Sequence, residues 1–243
     1  MIRVERLAKR FGNVEAVRDV SFEAADGRIT GMLGPNGAGK STTLRILYTM
    51  LRPDCGSAHI DGIDVLADPL AARRASGVLP HSAGIYPHLT ARENIDFYGR
   101  LHGLAAPLRA RRVTELVAEL GMRDFADRRA KGFSQGQRTK VALARALVHS
   151  PRNVLLDEPT NGLDVMATRA LRELILGLKA AGHCVLFSSH VMQEVAALCD
   201  DIIIIDHGRV IGNGTAAAIR AQFGGVSMEE AFVNALGSQE GLE

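Results

Sequence analysis

The sequence predicts an α/β protein with a mostly parallel core sheet, an N-terminal antiparallel β-subdomain and an α-helical subdomain. Three observations predict it. The apolar run Ile29 to Leu33 leads into Gly34-Pro35-Asn36-Gly37-Ala38-Gly39-Lys40-Ser41, with Thr42 next and helically spaced Leu44, Leu47, Tyr48 and Leu51 after it. Strand, glycine loop and helix is the context of the phosphate-binding motif G-x-x-x-x-G-K-[ST], so the class is that of a P-loop NTPase. Three further runs, Asn153–Asp157, Cys184–Phe187 and Asp201–Asp206, have the near-continuous hydrophobicity of strands buried on both faces. Residues 90 to 129, in contrast, carry helical periodicity and no strand pattern.

The glycine loop gives the first functional reading. Glycines let the backbone close into a concave nest whose N–H groups point at phosphate oxygens. The helix opening at Lys40 adds the positive end of its dipole. Lys40 has the reach to meet β- and γ-phosphates, and the Ser41 hydroxyl suits Mg²⁺. A glycine turn before an ordinary helix is the bland alternative, and the complete motif in its proper context argues against it.

Bulk composition narrows the rest. Hydrophobic residues make up 47% of 243 residues, enough for a sizeable core. Lys and Arg number 29 against 27 Asp and Glu, a net charge of +2, without the basic excess of a nucleic-acid-binding protein. Cys55, Cys184 and Cys199 have no C-x-x-C spacing, and read as buried or inert thiols of a reducing compartment. The first residues are charged where a signal peptide is apolar, and no run approaches the roughly 20 apolar residues of a membrane span.

In chain order, Ile2–Leu7 and Val14–Phe22 read as two strands about a turn at Gly12-Asn13. Phe11 at that turn either stacks on a base or packs beneath the hairpin. Cys55–Val65 reads as a short hairpin edging the sheet. Pro69–Ala75 follows as a brief helix with Asp68 as cap, then Val78–Pro80 as a short strand and His81–Gly84 as a loop. Thr90-x-x-Glu93 is a capping box. It opens a helix with Ile95, Tyr98, Leu101 and Leu104 on one face, and Pro107 starts a second that ends at Gly121. Arg109, Arg111, Arg112, Arg128 and Arg129 of this insert face solvent or an acidic partner.

Phe133-Ser134-Gln135-Gly136-Gln137 precedes a helix to His149, which makes a second anion site at a helix N-terminus. Asp157 and Glu158 end a buried strand, where ligands sit in open α/β sheets. Asp157 suits Mg²⁺, and Glu158, expected in an extended conformation before Pro159, suits the base for an attacking water. Asn161–Asp164 is a turn before a helix from about Met166 to Ala181. His190 ends the strand after it, either near a γ-phosphate or as a helix cap. Arg209–Gly214 reads as a last edge strand, Thr215 as the cap of a helix to Phe223, and Gly224-Gly225 as a hinge before a short amphipathic tail helix, with Met228, Phe232, Ala235 and Leu236 on its apolar face, that folds back on the core. The domain expected is 1–223, with the helical subdomain at about 88–150, followed by a tail at 224–243.

These residues together resemble the ATP-binding cassette (ABC) ATPase family over nearly the whole chain. The order runs Phe11, the P-loop, a helical insert, Phe133–Gln137, Asp157-Glu158, Asn161–Asp164 and His190. Gly84-Ile85-Tyr86, Leu89–Asn94 and Phe187–Glu194 look most like ATPase subunits of the sodium-exporter kind. The resemblance implies two cassettes paired head to tail, a homodimer, with Ser134, Gln135, Gly136 and Gln137 of one copy on the ATP of the other. Asp164 then lies at the dimer seam, and His190 clamps the γ-phosphate beside Glu158. The resemblance implies ATP and Mg²⁺ as cofactors and a separate integral-membrane permease subunit as partner. It places the chain peripherally on the cytoplasmic side of the cell membrane, in export, with sodium as the cargo suggested and no nucleic acid.

Two departures stand out. His81 occupies the loop position where the family usually has glutamine, so its contact with Mg²⁺ is the weaker expectation. Phe133 and Gln135 replace the leucine and first glycine of the commoner Leu-Ser-Gly-Gly-Gln. Two other readings compete: a soluble, non-transport ABC ATPase, and a nucleotide-gated clamp that barely hydrolyses.

Overall fold

The computed structural model describes residues 1–82 and 84–240, with the side chains of all but 238–240 of these. Ala83 of the expected loop and residues 241–243 of the tail lie outside the described residues. In chain order the elements are β1 (Ile2–Phe11), β2 (Val14–Ala24), β3 (Ile29–Leu33), α1 (Lys40–Leu47), β4 (Cys55–Ile60), β5 (Ile63–Asp64), α2 (Pro69–Ala75) and β6 (Ser76–Leu79). The helical insert supplies α3 (Ala91–Leu101) and α4 (Ala106–Glu119), and α5 (Gln135–Leu147) follows. The chain ends with β7 (Asn153–Asp157), α6 (Val165–Ala180), β8 (Cys184–Ser189), α7 (Met192–Leu198), β9 (Asp201–Asp206), β10 (Arg209–Gly214), α8 (Ala216–Phe223) and α9 (Met228–Glu240).

One ten-stranded sheet runs β5-β4-β1-β2-β10-β9-β3-β8-β7-β6. From β9 to β6 every pairing is parallel, and β1, β2, β4 and β5 pair antiparallel. The strand β10 is not at an edge, as its sequence suggested. It pairs antiparallel with β9 and meets β2 through Arg209 and Asp19, which joins the two parts of the sheet. A β9–β10 hairpin is legible locally, but the distant strand on its other side is not.

The core strands are covered on both faces. Ile202 and Ile204 pack with the helical elements, while Ile203 and Ile205 pack with β1, β2 and α1 on the other face. This alternation is the period-2 geometry of a strand acting on four like residues. The tail helix α9 is not loose, since Met228, Ala231, Phe232 and Ala235 are buried in the same core as β7 and β8. The capping box at Thr90 forms as expected, with Thr90 Oγ1 accepting from Glu93 N and the Glu93 carboxylate accepting from Thr90 N. Arg109 and Arg112 depart from both readings offered for them. Their side chains are only 16% and 20% exposed and pair with Asp96 and Glu115 of the insert itself. Cys184 and Cys199 are covered, and burial pushes the Cys184 thiol up to about 12, but Cys55 is exposed.

Candidate functional site

The register of the parallel strands brings the site together. Leu33 of β3 pairs with Ser189 of β8, and Asp157 of β7 pairs with Ser188. The loops after β3, β7 and β8 therefore leave the sheet side by side at its carboxyl edge, the place where open α/β sheets bind ligands. Between them lies a cavity of about 540 Å³ lined by Asn36, Ser41, Arg45, His81, Glu158, Asn161 and His190.

The glycine loop has the backbone its sequence requires. Gly39, before the first residue of α1, has φ +108, a conformation open mainly to glycine. A Cβ there would meet the Ala16 carbonyl at 2.5 Å, and a Cβ at Gly34 would meet the Ile205 carbonyl at 2.1 Å. Ala38 is buried, with its carbonyl accepting from Gly208 N. Pro35, Asn36 and Gly37 complete a loop whose rim, at Asn36 and Gly37, is exposed, and Thr42 lies in the first turn of α1. Lys40 is 4% exposed, and its ammonium donates to the carbonyls of Gly34 at 2.7 Å and Pro35 at 2.9 Å. Burial lowers its pKa, against the opposing pull of Glu158 and Asp157. Its Nζ lies 3.9 Å from Glu158 Oε1.

Asp157 is 2% exposed. Its Oδ1 accepts from the Ser41 hydroxyl at 3.0 Å and the Ser188 hydroxyl at 2.8 Å, while the buried Oδ2 has no partner among the described residues. A buried carboxylate oxygen left unpaired is costly. Together with the Ser41 hydroxyl it forms the hard-oxygen donor set that Mg²⁺ prefers, so the residues present fit that ion.

Glu158 departs from its sequence reading. Pro159 disfavours the α region in the residue before it, which argues for an extended Glu158. The residue instead has φ +50, in the left-handed region. Its backbone N–H donates to Ser188 Oγ at 3.0 Å and its carbonyl accepts from Asn161 N at 3.1 Å, which turn the chain sharply past the strand end. Such conformations cost on the order of 1–3 kcal/mol and persist where surrounding bonds impose them. The turn sends the Glu158 carboxylate, 11% exposed, into the cavity. There its Oε2 lies 3.4 Å from His190 Nδ1 and 3.8 Å from His81 Nδ1. His190 is not a cap, since the residue preceding α7 is Val191.

The remaining sequence-predicted residues lie elsewhere. Ser134 and Gln137 form a reciprocal capping box at the start of α5, with Ser134 Oγ accepting from Gln137 N at 3.2 Å and Gln137 Oε1 accepting from Ser134 N at 3.1 Å. Gln135 and Gly136 continue this turn next to Gly162 and Ala167, and none of Ser134, Gln135, Gly136 and Gln137 lines the cavity at Ser41 and Glu158. Asp164 caps α6, its Oδ1 accepting from Ala167 N at 2.7 Å. Phe11 is 45% exposed at the end of β1 with Lys9 Nζ 5.6 Å from its ring centre, so it does not pack beneath the hairpin, and it lies outside the cavity lining. Sequence reasoning missed Ser188, Arg45 and Asn161. Ser188 was detectable only through the β7–β8 register. Arg45 was within reach, because it follows Ser41 by one helical turn.

Comparison with known proteins agrees with this geometry. Residues 17–161 match the family described as ABC transporter. The chain is 43% identical over 224 residues, 90% of this chain and 91% of the relative, to the ABC transporter ATP-binding protein NatA of Bacillus subtilis (strain 168). It is 37% identical, over 88% of this chain and 67% of the relative, to the Nod factor export ATP-binding protein I of Ralstonia nicotianae (strain ATCC BAA-1114 / GMI1000). Among solved structures, an ATP-binding subunit of an ABC transporter superposes with a TM-score of 0.90 at 31% identity, covering 97% of this chain and 99% of that one. The dimeric cassette MJ0796, a bacterial ABC transporter protein, superposes with a TM-score of 0.80 at 27% identity, covering 88% and 98%.

Proposed function

We propose a working cycle from one premise: this chain belongs to the ABC transporter family, as an ATP-binding subunit with the ATPase activity of that family. In this reading it works as a homodimer, closing head to tail around two ATP molecules and driving a separate integral-membrane subunit from the cytoplasmic face. No helix among the described residues is long and apolar enough to cross a membrane.

The observation that carries the reading is the pair of half-sites. Lys40, Ser41, Asp157, Glu158 and His190 gather at one strand edge, where Ser41, Glu158 and His190 line the cavity, while the Ser134–Gln137 turn of the same chain contributes nothing to that lining. A second copy that offers its own Ser134–Gln137 turn would complete the phosphate site, with Asp164 near the seam. The MJ0796 relative is dimeric, which supports the pairing of two copies.

Within one cavity the roles follow from chemistry. The glycine-loop amides and Lys40 neutralise the phosphate charge that builds up in the transition state. Lys40 gives up its bonds to the Gly34 and Pro35 carbonyls when phosphate oxygens arrive. Ser41 and Asp157 would hold Mg²⁺, which supplies further charge neutralisation when bound. Glu158 accepts the proton of the attacking water as the water oxygen bonds to the γ-phosphorus and the bridging oxygen leaves with ADP. His190, one short step from Glu158, orients that water and contacts the γ-phosphate. His81 stands where a longer glutamine is usual; it borders the cavity, near the same Glu158 oxygen as His190, and is the weaker metal contact. Phe11, exposed at the hairpin tip, offers a face for the adenine.

Export is the direction the Nod factor relative supports. Sodium as cargo is a narrower suggestion, resting on the sequence resemblance alone. The test is a pull-down of tagged Glu158→Gln protein from detergent-solubilised membranes with ATP. A stoichiometric multi-span membrane protein is expected. Ribosomes or nucleic acid in its place would point to the soluble ATPase reading, and capture of nothing would favour a nucleotide-gated clamp.

A further inference from the structure

The ladder between β7 and β8 ends at Asp157 and Ser188. Past that point no backbone pairing joins the loop carrying Glu158 to the loop carrying His190, yet their side chains stand 3.4 Å apart. Side chains must supply the connection. One link is the Ser188 hydroxyl, which accepts from Glu158 N. The other is Glu194, in the first turn of α7. Its side chain belongs to a residue only 7% exposed, and it forms no ion pair among the described residues. A buried carboxylate without a cation needs hydroxyl or amide donors. Its Oε2 has two, accepting from Thr160 Oγ1 at 2.8 Å and from Ser189 Oγ at 3.3 Å. Ser189 Oγ also accepts from Val191 N at 2.9 Å, so that hydroxyl sets the backbone on both sides of His190. Thr160 lies two residues beyond Glu158, and its carbonyl accepts from Leu163 N in the turn leading to Asp164.

We propose that Glu194 is a positioning residue for ATP hydrolysis: its buried carboxylate ties Thr160 to Ser189 and so fixes the Glu158 loop against the His190 loop. This rests on the roles given above to Glu158 and His190. Glu194 does not line the cavity. Its effect is on the spacing of the groups that do, and misplacement by about 1 Å can cost on the order of 10²-fold in rate. Nucleotide binding through the glycine loop does not depend on it.

The test compares Glu194→Ala, Thr160→Val, Thr160→Ser and the double variant Thr160→Val/Glu194→Ala in steady-state ATPase assays, with Glu158→Gln alongside. Thermal unfolding is followed for each. Glu194→Ala and Thr160→Val are expected to lower kcat by about tenfold with KM for ATP within about twofold of the parent. Thr160→Ser keeps the hydroxyl and parental kcat, and the double variant loses no more than the worse single one, because both changes cut the same tie. Thr160→Val removes the bond without emptying the buried position of Glu194, so it tests the tie even if Glu194→Ala does not fold. Parental kcat in Thr160→Val, beside a Glu158→Gln variant that has lost turnover, overturns the tie and leaves the ATPase reading standing. Parental turnover in all of them, Glu158→Gln included, overturns both.

Discussion

Glu158 combines a buried carboxylate, a left-handed backbone and two neighbouring imidazoles, at the point where the chain leaves the sheet. Replacing it with glutamine removes the proposed proton acceptor and keeps the shape. Turnover is expected to fall by about 10²-fold or more while ATP still binds, measured as phosphate release against nucleotide affinity; turnover like the parent's would show that another group is the base. Lys40→Ala removes the buried ammonium that answers the phosphates, and is expected to weaken ATP binding by roughly tenfold or more in a titration with labelled nucleotide. Unchanged affinity would remove the glycine loop from the site. At this scale legibility followed contiguity. The P-loop and Asp157-Glu158 are local in sequence and were readable. The φ of Glu158 was not, because a hydroxyl from the neighbouring strand, Ser188, overrides the preference that Pro159 imposes. The tie through Glu194 spans 34 residues from Thr160 and has no local signal.

Two elements carry stability in ways their patterns only partly announce. His102 at the end of α3 and His149 just past α5 stack with ring centres 3.5 Å apart and planes 5° from parallel, where the insert meets the core. His149 Nε2 donates to the Ser76 carbonyl, and its buried Nδ1 has no partner among the described residues. Burial, then the neighbouring His102, pushes His149 down to about 4, and burial with Arg74 nearby also lowers His102. The unfolded chain takes up a proton at His149 near pH 6.5, whereas the folded chain does not until near 4. The stability this neutral pair represents is therefore complete above about pH 6.5 and is lost as pH falls towards 4, on the order of 3 kcal/mol from His149. Urea unfolding at pH 7.5 and 5 is expected to show a smaller fall for His149→Phe than for the parent. An equal fall in both would show that other groups set the slope. The tail helix α9 is the second case. Phe232 is 9% exposed in the core, and Phe232→Ala is expected to cost about 3 kcal/mol by urea unfolding. A cost near zero would show that α9 contributes little. The amphipathic spacing made α9 readable as a docked helix. The place of β10 was not readable, because its contact with β2 crosses from residue 209 to residue 19.

The whole molecule carries two groups of residues that the proposed cycle joins around one ATP, and the second does not line the cavity of the first. One holds the glycine loop and the carboxylates; the other is the capped turn at Ser134, beside the start of α6. The proposed head-to-tail dimer would bring one of each together. The most direct test is light scattering on Glu158→Gln protein with and without ATP, beside the same protein carrying Ser134→Arg, which blocks the turn and leaves the glycine loop untouched. Mass is expected to double on adding ATP to Glu158→Gln and to stay at one chain for the double variant. A mass that ignores ATP, or a Ser134→Arg double variant that still dimerises with it, would contradict the account.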